Sequence, residues 1–248
     1  MCFFIFRKPY YISCFDSGWV GSLVRVRIGA SILSARFSHL AEEVARCERS
    51  GVDFLHFDVM DGSMTSIITF GHLVIKSLRE YSDLKFDVHC YLLDPTRHLP
   101  FIVDAGADAV TIPMEAKGKV YQSLEYVRDR GLEAGVALLP DTPLTTVSGL
   151  LDLLDSLTII SVDVMRYGSW KFLPDILDKI RAARRLLDDE GKGADVDLKV
   201  DGGINMDNIR GVVDAGATSL VIGGTLFKGE DMGDILAELR KRIVEDRP

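Results

Sequence analysis

The chain has 248 residues, 47% of them hydrophobic, and a formal net charge of −8 at pH 7. That length and apolar content suit one α/β barrel, which needs roughly 250 residues, or two small domains. The acidic balance argues against the basic footprint of a protein that binds nucleic acid or an anionic membrane surface. No apolar run reaches the roughly 18 residues of a transmembrane helix, so we expect neither nucleic acid nor a membrane as a partner.

The cysteines and the first residues bear on compartment and domain boundaries. Four cysteines occur without any paired motif: Cys2, Cys14, Cys47 and Cys90. Reduced thiols in a cytoplasmic protein are the simplest interpretation. The N-terminal apolar run is short, and its basic residues follow it rather than precede it, which is the wrong order for a secretory signal. We predict an irregular N-terminal extension over 1–23 and a single catalytic barrel domain over 24–248.

Strand-like and helix-like segments alternate from residue 24 onward. Short, almost wholly apolar runs predict eight strands, over 25–31, 53–58, 85–90, 108–112, 134–138, 157–162, 197–201 and 219–222. Amphipathic stretches predict eight helices, over 38–49, 72–81, 96–104, 118–129, 145–153, 174–189, 206–215 and 232–244. The words Asp-Ala-Gly-Ala at 104–107 and 214–217 recur where a helix leads into a strand, with Gly suited to the C′ position. This alternation favours a closed (β/α)8 TIM barrel over a doubly wound sheet.

Polar residues follow the apolar runs at predicted strand ends, where barrels place their active sites. His56 and Asp58 are two residues apart and share one strand face, and His89 and Asp201 end two other strands. Buried imidazoles and carboxylates need partners or a metal. We predict that His56, Asp58, His89 and Asp201 hold one divalent ion, while the two carboxylates can also move protons. The donor set suits Zn²⁺, Fe²⁺, Mn²⁺ or Co²⁺ and does not choose among them.

Other residues at the same end of the barrel support this site. Asp87 shares a strand face with His89, and we interpret it as orienting a neighbour rather than doing chemistry. Gly202–Gly203 and Gly223–Gly224 follow the seventh and eighth strands, where backbone amides of barrels often bind phosphate. We therefore predict that these two glycine pairs bind a phosphate group.

The sequence resembles the ribulose-phosphate 3-epimerase family over roughly residues 24–245. The motifs that carry the resemblance are His-Phe-Asp-Val-Met-Asp-Gly at 56–62, Asp-Val-His at 87–89 and Val-Asp-Gly-Gly-Ile at 200–204. The resemblance implies interconversion of D-ribulose 5-phosphate and D-xylulose 5-phosphate by two-aspartate proton transfer through a metal-stabilised enediolate. It also implies a homo-oligomer.

The resemblance assigns roles to residues that match the family's motifs. Asp58 and Asp201 match the acid/base pair, and the four residues named above match the metal ligands. A further set matches substrate-binding positions: Ser31, Met60, His89, Gly202, Gly203, Gly223 and Gly224.

The chain departs from the family pattern around the substrate. Residues 63–67 lack a proline that is usual there, and residues 163–170 contain one glycine where the family has three. Arg166 in that segment could bind the substrate's phosphate or face solvent, and Tyr91 and Ile160 stand where methionines are expected. An epimerase of the same family acting on another ketose or ketose phosphate is therefore the alternative. A non-catalytic metabolite-binding barrel is a third interpretation.

Overall fold

The computed structural model describes residues 11–12, 24–117, 119–165, 170–229 and 231–244 of the chain. A short antiparallel ribbon, β1 and β2, precedes eight parallel strands, β3 to β10, that close into a barrel. The strands are Tyr11–Ile12 (β1), Val24–Arg25 (β2), Arg27–Ser31 (β3), Phe54–Met60 (β4), Lys85–Tyr91 (β5), Ala109–Pro113 (β6), Glu133–Leu138 (β7), Ser156–Ile160 (β8), Asp197–Asp201 (β9) and Ser219–Ile222 (β10). The predicted (β/α)8 TIM barrel is confirmed.

The described helices cover the outside of the barrel. They are Leu40–Ser50 (α1), His72–Leu78 (α2), Leu99–Asp104 (α3), Val120–Arg128 (α4), Ile176–Asp189 (α5), Ile209–Asp214 (α6), Gly224–Phe227 (α7) and Met232–Val244 (α8). Gly106 and Gly216 follow α3 and α6 with φ of +93° and +110°, as the repeated Asp-Ala-Gly-Ala words predict. None of the described helices is both long and apolar enough to cross a membrane.

One predicted helix is wrong. The segment 145–153 forms two 3-10 turns, Leu144–Val147 and Leu151–Leu153, instead of an α-helix. The first turn contains two threonines and a valine, whose β-branched side chains disfavour helix, and Gly149 lies between the turns. The short α7, by contrast, lies in a segment where the sequence predicted no helix.

Successive side chains of a barrel strand point alternately toward the surrounding helices and into the barrel interior, where the site lies. On β4, Leu55, Phe57 and Val59 face the helices and join the main core. The Phe57 ring packs 4.6 Å from the Phe86 ring, centroid to centroid. His56, Asp58 and Met60 occupy the alternate positions and project into the barrel. The strand period thus separates the residues that hold the fold from those that form the site.

The N-terminal segment predicted as irregular over 1–23 lies outside the described residues except for β1. This strand pairs with β2 in antiparallel register, with Tyr11 opposite Arg25.

Candidate metal centre and substrate pocket

Four side chains meet inside the barrel at the carboxyl ends of its strands. The ligand atoms offered by His56, Asp58, His89 and Asp201 all lie within 4.8 Å of one another. Two features of strand geometry bring them together. Asp58 pairs in register with His89 on the neighbouring strand, and Asp201 ends a strand that reaches the site from farther round the barrel. The predicted cluster is therefore present in the structure.

The separations within this cluster suit a divalent ion. His56 Nε2 lies 3.2 Å from Asp58 Oδ1 and 3.6 Å from Asp201 Oδ2. His89 Nδ1 lies 3.7 Å from each of these same two oxygens. Four ligands bonded at the 2.0–2.1 Å typical of zinc would lie about 3.3 Å apart in a tetrahedron. The cluster is close to that size before any adjustment.

The hydrogen bonding of the two imidazoles also fits a metal. His56 Nδ1 is 2.8 Å from Asp87 Oδ2, so it donates to that carboxylate and leaves the Nε2 lone pair for the cluster. Neither ring nitrogen of His89 has a hydrogen-bond partner among the described residues, although the ring is fully buried. A buried imidazole without partners is costly, and a metal would satisfy the nitrogen that faces the cluster. The residues present therefore fit a divalent cation.

The electrostatics of the cluster favour positive charge. Burial by itself would lower the pKa of His56, but the carboxylates of Asp58, Asp201 and Asp87 outweigh it and raise that pKa well above its ordinary value. Burial would raise the pKa of Asp201, but the imidazoles of His56 and His89 outweigh burial and lower it. The raised pKa of His56 reflects the negative potential of the carboxylates around it, which would also attract a cation, and the lowered pKa of Asp201 favours the ionised carboxylate that a cation binds.

Above the cluster lies a cavity of about 340 Å³. Asp58 and Asp201 line this cavity, whereas His56 and His89 are fully buried beneath it. A ligand in the cavity can therefore touch both carboxylates without touching either imidazole.

One wall of the cavity is apolar. Met60, Tyr91, Val162 and Val164 form this wall, and they pack with Ala137 and Ile160 as one cluster. Within it, the Tyr91 ring packs against the His89 ring at a tilt of 40°, with 4.0 Å between the ring centroids. Burial raises the pKa of the Tyr91 hydroxyl, and the carboxylates of Asp201 and Asp58 raise it further. The phenol is thus a protonated hydrogen-bond donor in an otherwise apolar wall.

Another part of the cavity lining is formed by backbone and small side chains. Gly202, Gly203, Gly223 and Gly224 all line it, together with Ser31. A Cβ on Gly203 would lie 2.5 Å from the Phe172 backbone nitrogen, and its φ of +66° favours glycine. A Cβ on Gly223 would overlap the Ser34 hydroxyl. Glycine at these two positions lets the chain pass close to its neighbours.

The structure places most of the predicted site residues around one cavity. Ser31, Met60 and the four glycines line it beside Asp58 and Asp201, and Asp87 is the partner of His56 rather than of His89. Arg166 lies outside the described residues. Several cavity or network residues had no predicted role, among them Trp170, Lys199 and Lys228. Lysine and tryptophan near strand ends are common, and no spacing in the sequence marks these three.

The fold and this cluster define a class of enzyme: a TIM barrel whose strand ends hold two carboxylates and two imidazoles as a candidate metal centre. A sequence model of the ribulose-phosphate 3 epimerase family matches residues 27–227. Ribulose-phosphate 3-epimerase of Bacillus subtilis strain 168 is 34% identical over 215 residues, which cover 87% of this chain and 98% of that protein. The protein of the same name from Escherichia coli K12 is 36% identical over 219 residues, 88% of this chain and 96% of that protein.

Solved structures agree on the fold. A crystal structure of 3-hexulose-6-phosphate synthase superposes with a TM-score of 0.63 at 19% identity, covering 88% of this chain and all of that one. This likeness bears on the barrel alone. The sequence matches show more: the chain belongs to the ribulose-phosphate 3-epimerase family. It is an isomerase of the sugar-phosphate epimerase type.

Proposed function

We propose that this chain is a metal-dependent 3-epimerase that interconverts D-ribulose 5-phosphate and D-xylulose 5-phosphate. The observation that carries the proposal is the convergence, within 4.8 Å of one another, of two carboxylates that line one cavity and two imidazoles buried beneath it. The relatives are ribulose-phosphate 3-epimerases, and this activity supplies the leading substrate.

His56, Asp58, His89 and Asp201 would hold the ion, which can be Zn²⁺, Fe²⁺, Mn²⁺ or Co²⁺. When bound, such an ion supplies Lewis acidity that stabilises negative charge on the oxygens of the substrate. Asp87 fixes the tautomer of His56 through Nδ1, so that Nε2 is directed at the cluster.

The two aspartates perform the proton transfers. Epimerisation at C3 removes the proton α to the C2 carbonyl and returns a proton to the opposite face of the same carbon. One carboxylate takes the first proton while the other, protonated, delivers the second, and the roles reverse in the other direction. Asp58 and Asp201 suit this task because they line one cavity from strands that are not neighbours in the barrel.

The glycine side of the cavity would bind the phosphate. Backbone N–H groups can approach phosphate oxygens closely only where no side chain intervenes, and four glycines line the cavity there. Ser31 and Met60 are the remaining proposed contacts along the cavity. His89, which is also a proposed substrate-binding residue, is fully buried beneath the cavity and would act there as an ion ligand rather than by contact with the substrate.

A second candidate keeps the chemistry and changes the sugar. The Tyr91 hydroxyl places a hydrogen-bond donor in the apolar wall. A donor at that position favours a substrate with an additional or differently placed hydroxyl group. We also propose a homo-oligomer, on the resemblance to the family, and a cytoplasmic location, because the cysteines show no paired motif.

Exchange of the C3 proton with solvent tests the chemistry. Wild-type enzyme in D2O should exchange this proton, and Asp58→Asn and Asp201→Asn should each abolish the exchange. Asp94→Asn is the matched control, since Asp94 is exposed and accepts a hydrogen bond only from Thr96 among the described residues. Normal exchange in either active-site variant would refute the two-aspartate mechanism.

A panel of ketoses and ketose phosphates, assayed with wild type and Tyr91→Met, separates the two candidates. A preference for ribulose 5-phosphate that Tyr91→Met leaves in place supports the first. A preference for another sugar that Tyr91→Met removes supports the second.

A further inference from the structure

A buried lysine lies two residues before Asp201 and has no part in the function proposed above. Lys199 is 5% exposed and shares a strand face with Asp201, so its side chain also enters the barrel. Its ammonium group lies 2.5 Å from Asp87 Oδ2. Burying a lysine is unfavourable unless it is paired, so a partner of this kind is required.

The ion pair crosses the barrel. Lys199 is on β9 and Asp87 is on β5, and these strands are opposite one another in the closed order of eight. Asp87 Oδ2 therefore lies between two donors, the ammonium of Lys199 at 2.5 Å and Nδ1 of His56 at 2.8 Å. Its other oxygen, Oδ1, is buried without a hydrogen-bond partner among the described residues. The position of this carboxylate thus depends on Oδ2 alone.

The charges of the barrel interior balance only when Lys199 is included. Asp58 and Asp201 carry two negative charges, which one divalent ion would match. Asp87 adds a third carboxylate, and Lys199 supplies the matching positive charge in a buried setting where an unmatched charge is costly. Lys199 forms no ion pair with any other carboxylate in the described ranges.

We propose that Lys199 is a positioning residue that sets the metal affinity of the site through Asp87 and His56. The ammonium holds the Asp87 carboxylate in place, Asp87 holds the ring of His56, and the ring directs Nε2 at the ion. The proposal rests on the metal site of the proposed function. Outer partners of this kind change metal affinity by about 10-fold to 100-fold when they are removed.

Metal binding by the full-length protein tests the chain of contacts. Zn²⁺ is titrated into metal-free protein by calorimetry, and Co²⁺ is added separately so that its visible absorption reports the ligand geometry. Lys199→Met should raise the Kd for Zn²⁺ by about 10-fold or more. Lys199→Gln keeps one donor without the charge and should fall between wild type and Lys199→Met. If Lys199→Met does not fold, Lys199→Gln alone tests the effect of removing the charge.

A double-variant cycle tests whether Lys199 acts through Asp87. Asp87→Asn should also raise the Kd, and the double variant Lys199→Met/Asp87→Asn should bind no more weakly than Asp87→Asn alone. The double variant removes both buried charges together, which proteins tolerate better than the removal of one. Effects that multiply in the double variant would overturn the proposal.

Lys179→Met is the matched control for losing a partly buried lysine. Lys179 donates to the backbone carbonyls of Leu139, Pro140 and Thr142 and touches no residue of the candidate metal centre. This variant should lose thermal stability without a change in the Kd for Zn²⁺.

A wild-type Kd and Co²⁺ spectrum in either Lys199 variant would overturn the inference while leaving the metal site intact. Failure of wild type to bind Zn²⁺, Mn²⁺, Fe²⁺ or Co²⁺ would instead refute the proposed function, and this inference with it.

Discussion

The Ser31 hydroxyl donates a hydrogen bond of 3.2 Å to Asp58 Oδ2, while Oδ1 of the same carboxylate lies 3.2 Å from His56 Nε2. The two oxygens of Asp58 therefore have different environments. Oδ1 belongs to the cluster of candidate metal ligands, and Oδ2 is held by the serine at the edge of the cavity. Such an arrangement lets one carboxylate serve as a ligand and as a proton carrier at the same time.

Ser31→Ala should separate these two roles. Loss of a hydrogen bond to a charged group costs about 1.5–3 kcal/mol, so kcat should fall by about 10-fold to 100-fold. The Kd for Zn²⁺ should stay within about threefold of wild type, because Oδ1 keeps its contacts. Steady-state kinetics and calorimetry measure the two quantities. Ser38→Ala is the control, since Ser38 is exposed and its hydroxyl contacts only His39 among described residues. Equal kcat in both variants would contradict the role of Ser31.

Gly224→Ala tests the phosphate side of the cavity. A Cβ at Gly224 would meet no atom within 4 Å, and Gly224 lines the cavity, so the methyl group would enter the space proposed for phosphate. We expect unchanged or slightly higher thermal stability, because alanine favours helix over glycine by about 1 kcal/mol. KM for the phosphorylated ketose should rise by about 10-fold.

Gly149→Ala is the matched control for this experiment, since a Cβ there also meets nothing within 4 Å and Gly149 is not part of the cavity. Thermal melts and KM values are compared across wild type and both variants. An unchanged KM in Gly224→Ala would place the phosphate elsewhere.

Lys228 should supply charge to the same side of the cavity. It is exposed, lines the cavity beside Gly224, and has no ion-pair partner within the ranges that the structure covers. Lys228→Gln should raise KM for the phosphorylated ketose about threefold to tenfold, as expected for one partly exposed charge pair. The effect should shrink as salt is added, because salt screens the interaction.

Lys76→Gln, on the exposed face of α2, should leave KM unchanged and serves as the control. KM measured at low and high salt for both variants shows whether Lys228 acts through its charge. A Lys228→Gln effect that is independent of salt would mean that the side chain acts by packing rather than by charge.

The sequence predicts the site better than the details around it. His56, Asp58, His89 and Asp201 could be placed together because each lies near the carboxyl end of a strand, and all such ends meet at one mouth of a barrel. The strands themselves are recognisable because their runs are apolar on both faces. Strand ends differ from prediction by up to two residues, as for β4, which continues to Met60.

Lys199 could not be predicted in its role. Its partner Asp87 is 112 residues away and on the opposite side of the barrel, and sequence periodicity reports only which face of one strand a residue occupies. The helix predicted over 145–153 failed for a different reason. Its apolar residues have helical spacing, but glycine and β-branched residues lower its helix propensity. The segment packs against the barrel as two short 3-10 turns instead.

Cys47 and Cys90 should be unreactive in the folded protein. Both are free and fully buried, as the interpretation of reduced thiols expects, whereas Cys2 and Cys14 lie outside the described residues. Burial raises the pKa of each thiol from 9.0 to about 12. Because the thiolate is the nucleophile, alkylation by iodoacetamide at pH 8 should be about 1,000-fold slower than in the urea-unfolded chain. Mass spectrometry of a Cys2→Ser/Cys14→Ser variant measures both rates, and native labelling within tenfold of the unfolded rate would contradict the burial of these thiols.

The same pKa shift fixes the sign of a pH effect on stability. The folded state keeps both thiols protonated up to about pH 12, while the unfolded chain releases their protons near pH 9. The unfolded state therefore binds fewer protons between these values, and the free energy of unfolding should fall as pH rises from 9 to 12. Replacing Cys47 by Ala removes one such group, so urea melts of this variant should show a shallower decline over that range than wild type. An equally steep decline would assign the alkaline loss of stability to other groups.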